Sequence, residues 1–338
     1  MKAAGFSLVF FTVLLGARPA AAEDPSVFGT PRVQDPQIVV LERSKLRPAG
    51  NRIRMASYNT QDFTDGVNDG DLRTQAQAGN QARWAAANLS EIDPDIAILE
   101  EVENGDSLTL LNQRMKKPYP FACITRFAWS WLSRDKLNIA LLSRVPVEGL
   151  RELDFRRLSG PGRPPRGLLS FYVDLGGNRR LLVYGVHLKS NYGEEGKDQL
   201  KRRNALLLLR KDAKDVIARD PRYTWEILVA GDMNTDPADK QFASDVTLQP
   251  LTGWVDLWRG VPLAERVTLP TRLGDPAQLF PPVTFDRFYA SPELTKRPWV
   301  VGRPHVLQRG TDTNSVFTLP GEHGHTSDHY PVWVDVAR

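Results

Sequence analysis

The stretch 226-EILVAGDMNTDP-237 combines a short apolar run with a turn that is rich in carboxylate and amide side chains. Four consecutive apolar residues, 227-ILVA-230, are typical of a strand that is buried on both faces. The glycine and the Asp and Asn residues that follow are typical of a chain leaving a sheet in a turn. The stretch therefore predicts a buried strand that ends in Asp232, Asn234 and Asp236. Taken alone, such a motif is more typical of an ordinary turn than of a functional site.

Similar apolar runs recur from Arg52 onward, each bounded by Gly, Pro, Asn or Asp. They are RIRMASYN, DIAILEEV, KLNIALLSR, GLLSFYVDL, RLLVYGVHL, VTFDRFYAS and YPVWVDV. Between some of them, helical periodicity predicts helices over 72–92, 105–115 and 197–218. Many strands with few long helices predict two packed sheets flanked by helices. No internal repeat is visible, so we predict one α/β domain over residues 51–338.

The first 22 residues have the features of a cleaved secretory signal peptide. Lys2 is followed by an apolar segment from Phe6 to Leu15, and the small residues 20-AAA-22 form a cleavage site. This segment is too short for a transmembrane helix, although a membrane anchor is the alternative interpretation. We therefore predict a secreted or periplasmic protein without stable membrane insertion. The proline-rich residues 23–50 are predicted to form an extended lead-in to the domain.

Composition, charge and cysteine content restrict the function only weakly. The 338 residues are 41% hydrophobic and 25% charged, which is typical of a globular protein. The formal net charge is +4; without Lys2 and Arg18 of the predicted signal it is 4 minus 2, or +2. This excess permits an anionic substrate but is not the basic patch of a dedicated nucleic-acid binder. Cys123 is the only cysteine, which excludes an intrachain disulfide. No feature indicates a protein partner, so we expect a monomer.

Polar side chains of the acid-base and metal-binding types follow several predicted strands. They are Asn59, Gln61, Glu100, Glu101, His187, Lys189, Asn191, Asp232, Asn234, Asp236, Asp328 and His329. In layered sheet folds, strand ends present functional groups to a cleft. Asp286, in contrast, lies inside the apolar run VTFDRFYAS. A buried carboxylate needs a cationic or hydrogen-bonding partner, and an imidazole such as His329 would provide one.

The ordered motifs SYNTQDF, IAILEEVEN, NIALLSRVPV, YGVHLKSN, LVAGDMNTDP, TFDRFYAS and HTSDHYPV resemble the endonuclease/exonuclease/phosphatase superfamily, in particular its deoxyribonuclease I-like members. The resemblance spans Arg52 to Val336 in the motif order of the superfamily. It implies a four-layer α/β/β/α sandwich of two mixed sheets flanked by helices. It also implies metal-dependent hydrolysis of phosphoesters by attack of water on phosphorus.

The resemblance further implies a divalent-metal site. Asn59 and Glu101 would be ligands or near-ligands of the ion, with Asp328 near the same ion. All three side chains offer oxygen donors, so we expect Mg²⁺ or Mn²⁺ rather than zinc. Glu100 departs from the superfamily pattern, which has Gln before the metal-binding Glu. This carboxylate could hold a second ion, raise the pKa of a neighbour, or point into solvent.

Catalytic roles for five residues also come from the resemblance. Asp232 and Asn234 would orient or deprotonate the attacking water. Asp286 would be the partner of His329, which would lie beside the scissile phosphate. His187 would protonate the leaving oxygen.

Two basic residues are assigned to substrate binding. Arg144 resembles a phosphate-contacting arginine, although a solvated loop arginine is the alternative. Lys189 lies two residues after His187, at the end of a predicted strand.

The substrate itself is less well determined. The segment 126–136 interleaves Phe127, Trp129 and Trp131 with basic residues, which could bind nucleic acid, insert into a lipid surface, or simply pack under a loop. We predict an exported nuclease acting on DNA or RNA. The alternatives are a sphingomyelinase-like or small phosphoester hydrolase, or a catalytically silent binding module on the same fold.

Overall fold

The computed structural model describes residues 26–67, 73–127, 138–274 and 281–338, apart from the side chain of Glu195. The predicted signal peptide lies outside these residues, and so do Trp129 and Trp131 of the aromatic-rich segment. No helix in the described part of the chain is long and apolar enough to cross a membrane.

Two mixed β-sheets form the centre of the fold. The strands described are β1 Arg32–Gln34, β2 Gln37–Leu41, β3 Arg52–Phe63, β4 Ile96–Val102, β5 Phe121–Ile124, β6 Asn138–Ser143, β7 Glu148–Asp154, β8 Leu168–Gly176, β9 Arg179–His187, β10 Thr224–Asp232, β11 Val255–Asp256, β12 Asp286–Ala290, β13 Val300–Val301, β14 His305–Val306 and β15 Val332–Ala337. One sheet has the order β1-β7-β8-β9-β10-β12-β11. The other has the order β13-β15-β3-β4-β6-β5-β2, with β14 paired to β15.

In the described residues, three long helices and one short helix accompany the sheets. They are α1 Gln75–Ile92, α2 Gly105–Arg114, α3 Glu195–Arg219 and α4 Leu263–Arg266. The first three lie where helical periodicity predicts them. Helix α1 starts at Gln75 because Thr74 caps it: the Thr74 hydroxyl accepts from the Gln77 amide, and the Gln77 side chain accepts from the Thr74 amide.

The layers follow from which face of each strand is apolar. In β10, Leu228 packs between the two sheets and Val229 packs against α3, so the strand is buried on both faces and reads as a continuous apolar run. The outer face of the second sheet packs on α1 and α2 through residues such as Leu89 and Leu108. The four-layer α/β/β/α sandwich predicted from the resemblance is confirmed.

Residues of the predicted lead-in contribute strands to both sheets. Strand β1 pairs with β7 at the edge of one sheet, and β2 pairs with β5 at the edge of the other. The segment is therefore extended, and it belongs to the sandwich through backbone hydrogen bonds.

Parallel pairing decides where the polar strand ends meet. Strands β3 and β4 are parallel in one sheet, and β9 and β10 are parallel in the other. The carboxyl ends of parallel strands lie at the same edge of a sheet, so the residues that terminate these four strands converge.

Candidate active site

Residues from both sheets form one buried cluster. Asp232 at the end of β10 is in register with His187 on one side and with Asp286 on the other. The side-chain nitrogen of Asn59, Nδ2, donates to Glu101 Oε1 at 3.1 Å within its own sheet. The same nitrogen donates to Asp232 Oδ2 at 3.2 Å in the other sheet, so Asn59 joins the two sheets at the cluster.

Asp232 and Asn234 form the centre of the cluster. Asn234 adopts a left-handed backbone, with φ of 51°. This turn lets its backbone amide donate to Asp232 Oδ1 at 2.8 Å and its side chain donate to Oδ2 at 2.9 Å. Burial, reinforced by the negative charge of Asp286, raises the pKa of Asp232 to about 6, although the positive His329 opposes the rise. A carboxylate with this pKa is suited to accept a proton near neutral pH.

Asp286 and His329 are in contact, as the sequence predicts. His329 Nδ1 lies 2.7 Å from Asp286 Oδ2, and the Asp286 side chain is fully buried. Trp258 Nε1 donates to the Asp286 carbonyl at 2.9 Å and so fixes the backbone behind the pair. Burial alone would lower the pKa of His329, but the charge and hydrogen bond of Asp286 outweigh it and raise that pKa well above its usual value. His329 is therefore an imidazolium at neutral pH, with Nδ1 donating to the carboxylate.

His187, in contrast to His329, favours the neutral form of its imidazole. Its Nε2 lies 3.4 Å from Glu101 Oε1 and 3.7 Å from Asp232 Oδ2. Burial, together with the positive charges of Arg166 and His329, lowers the pKa of His187 well below its usual value. A neutral imidazole is a poorer proton donor than an imidazolium, so the charge states favour His329 over His187 for proton donation.

Carboxylates crowd the other side of the cluster. Glu101 has φ of 61° and accepts from the Asp62 amide at 2.9 Å. Burial, together with the negative charges of Asp62 and Asp328, raises the pKa of Glu101 to about 7. A divalent cation would relieve this repulsion, and oxygen donors of this kind suit Mg²⁺ or Mn²⁺. The donor chemistry therefore fits a metal held by Glu101 and Asp328.

The present arrangement is not a closed metal cage. No group of three His, Cys, Asp or Glu side chains in residues 26–67, 73–127, 138–274 and 281–338 could hold an ion as arranged. Asn59 turns its amide nitrogen toward Glu101, and its oxygen accepts from the Gln61 amide at 3.0 Å. Asn59 therefore orients the Glu101 carboxylate through its side-chain nitrogen, and its side-chain oxygen is not turned toward Glu101.

Arg144 is not brought to the cluster and lies away from the other residues predicted to act at the phosphate. Its guanidinium donates to Asp93 at 2.7 Å and to the Pro94 carbonyl at 2.8 Å, and it lies over the Tyr119 ring. Strand β6 runs antiparallel to β4, so the residue that follows β6 lies at the opposite end of the sheet from Glu101. Arg144 therefore has a structural role.

Lys189 lies close to the cluster in sequence, but its ammonium group is used by its own loop. Its Nζ donates to the Ser190 and Tyr192 carbonyls at 2.9 and 2.6 Å and pairs with Asp198 at 3.4 Å. Any contact with substrate requires the ammonium group to leave these partners.

Glu100 is fully buried, which excludes the interpretation that it points into solvent. Ser57 Oγ donates to Glu100 Oε1 at 2.8 Å. Burial, and then the negative charges of Asp286 and Asp232, raise the pKa of Glu100 well above its usual value. The neutral carboxyl form is therefore favoured beneath the cluster.

Sequence reasoning missed two residues that shape the site. Arg166 donates to the Leu188 carbonyl at 2.8 Å, and its charge lowers the pKa values of both Glu101 and His187. Gln81 on α1 donates to the carbonyls of Thr60 and Thr326 at 2.7 and 2.9 Å, and so ties strand β3 to the loop that carries Asp328. Neither residue follows a strand, which was the signal used to find the others.

The fold and this cluster are those of a phosphoester hydrolase. The chain belongs to the Endonuclease/Exonuclease/phosphatase family, which it matches over residues 56–329. Enzymes of this family hydrolyse phosphoesters and generally depend on a divalent metal, and this chain is a phosphoester hydrolase. A search of the curated proteins finds no match to the chain.

Solved structures of low sequence identity share the fold. Sphingomyelinase C from Streptomyces griseocarneus is similar with a TM-score of 0.58 and 18% identity, over 86% of this chain and 100% of that chain. TDP2 from D. rerio, complexed with single strand DNA product, gives a TM-score of 0.54 and 17% identity, over 86% of this chain and 100% of that chain. An endonuclease/exonuclease/phosphatase from Beutenbergia cavernae DSM 12333 gives a TM-score of 0.56 and 17% identity, over 85% of this chain and 72% of that chain.

Proposed function

We propose that the protein is an exported phosphodiesterase that depends on Mg²⁺ or Mn²⁺ and cleaves nucleic acid. The observation that carries the proposal is that the buried His329–Asp286 pair, with Nδ1 and Oδ2 2.7 Å apart, meets Asp232, which is in register with Asp286. Burial raises the pKa of Asp232, and the charge and hydrogen bond of Asp286 raise the pKa of His329. One group is suited to accept a proton and the other to donate one, and both lie in the same cluster. Phosphodiester hydrolysis needs these two functions together.

Each residue has a role in this proposal. Asp232, oriented by Asn234, takes the proton of the attacking water. The His329 imidazolium, held by Asp286, donates to a phosphate oxygen or to the leaving oxygen. Neutral His187 donates a hydrogen bond to the phosphate. Glu101 and Asp328 would hold the metal ion, which when bound would supply neutralisation of phosphate charge.

Nucleic acid is the preferred substrate for two reasons. Arg166 adds a positive charge close to Glu101 and His187, and a polyanionic backbone would pair with it. The fold is also that of a TDP2 protein complexed with single strand DNA product. Export rests on the signal-like residues 1–22 alone.

A phospholipid is the second candidate, and one observation favours it. Phe317 and Leu273 are 77% and 65% exposed. They lie on two segments joined by the Val316 amide, which donates to the Leu273 carbonyl at 2.9 Å. Neighbouring Arg272 is close enough to Asp328 for their charges to interact, so this apolar surface lies on the metal side of the cluster. Such a surface could contact lipid.

A substrate panel tests both candidates. Plasmid DNA, RNA, sphingomyelin and a chromogenic phosphodiester are each incubated with Mg²⁺, Mn²⁺ or excess chelator. We expect metal-dependent cleavage of a nucleic acid that falls steeply with added salt, because salt screens contacts to the phosphate backbone. Asp232→Asn should be inactive, whereas Asp212→Asn, which alters a partly buried ion pair between α3 and β7, should retain activity. Hydrolysis that persists in excess chelator would contradict the proposed mechanism, and cleavage of sphingomyelin alone would favour the lipid candidate.

A further inference from the structure

We propose that His325 and Gln61 position the Asp328 carboxylate and thereby set the affinity of the site for its divalent ion. The inference rests on the proposed function, because it assumes that Asp328 faces a bound metal. It assigns a positioning role to two residues for which the sequence pattern indicated none.

Hydrogen bonds fix the tautomer of His325, whose side chain is fully buried. The Asp312 backbone amide donates to His325 Nδ1 at 3.0 Å, so Nδ1 carries a lone pair and no proton. The proton therefore lies on Nε2, which is 2.9 Å from Gln61 Oε1 and donates to it. Burial, with the positive charge of Arg272, lowers the pKa of His325 to about 4, which keeps this neutral form in place at pH 7.

Gln61 connects His325 to the backbone of Asp328 by hydrogen bonds. Its Oε1 accepts a second hydrogen bond, from the Asp328 backbone amide at 2.9 Å. The backbone of Gln61 is left-handed, with φ of 50°, and its carbonyl accepts from Gln81 at 3.1 Å. Both ends of Gln61 are therefore held, and a strained conformation of this kind is characteristic of functional sites.

The Asp328 side chain depends on this backbone support. Its hydrogen bond from Ser327 Oγ is long, at 3.5 Å, so the carboxylate position follows from where the backbone places it. Residues that orient a metal ligand in this way change metal affinity by about 10- to 100-fold when they are replaced. A purely structural role would instead lower stability and leave the affinity unchanged.

Direct titration with Mn²⁺ in the absence of substrate tests the inference. The wild type is compared with His325→Phe, which keeps the ring but removes both nitrogens, and with Gln61→Leu, which removes the acceptor. We expect each variant to bind Mn²⁺ about 10- to 100-fold more weakly. Turnover of a chromogenic phosphodiester at saturating Mn²⁺ should change much less than the Mn²⁺ concentration for half-maximal activity. His325→Gln can accept and donate in the same directions and should restore most of the affinity.

Matched controls separate the possible failures. His305→Phe alters an imidazole that stacks on Trp333 on another strand, and it should bind Mn²⁺ like the wild type. If the wild type binds no Mn²⁺, the metal-dependent function fails as a whole. If the wild type binds but His325→Phe and Gln61→Leu bind equally well, this inference alone is overturned. Should His325→Phe not fold, Gln61→Leu alone gives the comparison with the wild type.

Discussion

Replacing Asp286 with asparagine removes one negative charge from the pair with His329 and changes little else. The asparagine has nearly the same shape, and its oxygen can still accept from His329 Nδ1, which lies 2.7 Å from the carboxylate. The Trp258 indole holds the backbone of residue 286 and does not depend on the carboxylate. The variant should therefore fold and differ mainly in the charge of the imidazole.

The expected loss follows from the energy of a charge-assisted hydrogen bond. Such a bond contributes about 1.5–3 kcal/mol, and each 1.36 kcal/mol changes a rate about tenfold. Because the pair is buried, solvent does not screen the loss. We expect Asp286→Asn to lower turnover about 100-fold, and His329→Ala to lower it by a similar factor. The double variant should be little slower than the slower single variant, because the two groups act as one unit.

The assay is turnover of a chromogenic phosphodiester at saturating Mn²⁺, with the thermal unfolding midpoint as a check on folding. Asp212→Asn is the control, because Asp212 forms a partly buried ion pair, with Arg151 at 2.9 Å, and lies outside the cluster. Near-wild-type turnover of Asp286→Asn, or losses in the double variant that multiply, would refute the proposed unit.

Three further outcomes are expected. Glu101→Gln should abolish turnover yet raise the unfolding temperature of the metal-free protein, because it removes a carboxylate that burial and neighbouring charges destabilise; an unchanged or lower temperature would contradict this. Arg144→Ala should lower the unfolding temperature and preserve turnover, whereas Arg166→Ala should lower turnover and preserve the unfolding temperature. Equal losses of turnover in the two variants would refute this division of roles. Glu101 and Asp232 have pKa values of about 7 and about 6 when folded. These exceed the unfolded values of about 4, so the two carboxylates should lower the stability of the metal-free protein, relative to a Glu101→Gln, Asp232→Asn double variant, as pH rises from about 4 to 7; thermal melts of the two proteins that do not diverge in this way would refute it.

The sequence predicts most of the fold because nearly every central strand is buried on both faces. A strand such as β10 then appears as an uninterrupted apolar run, and its polar terminus is obvious. The site is predictable for a related reason. Asn59, Glu101, His187 and Asp232 are grouped by the superfamily resemblance and by their place after predicted strands, and the parallel pairing of β3 with β4 and of β9 with β10 brings them together.

Sequence reasoning is least reliable where strand direction or burial determines the location or the charge of a side chain. Arg144 follows a strand as Asp232 does, but β6 is antiparallel to β4, and the sequence carries no direct record of that pairing. Arg166 precedes its strand, β8, and was therefore overlooked. The charge state of His187 depends on its burial beside Arg166 and His329, which residue type alone does not reveal.

Backbone strain accounts for the position of Glu100 and Glu101. Neighbouring residues of a regular strand point to opposite faces, so one of the two carboxylates should face away from the cluster. The left-handed backbone of Glu101 breaks this alternation and lets Glu100 lie beneath the cluster while Glu101 contacts Asn59. Four of the seven non-glycine residues with positive φ in the described part of the chain lie at the site: Gln61, Asp62, Glu101 and Asn234. Each such residue costs on the order of 1 kcal/mol or more, and the buried carboxylates add their mutual repulsion. A cation bound by Glu101 and Asp328 would offset that repulsion, so metal binding and the stability of this part of the fold are thermodynamically linked.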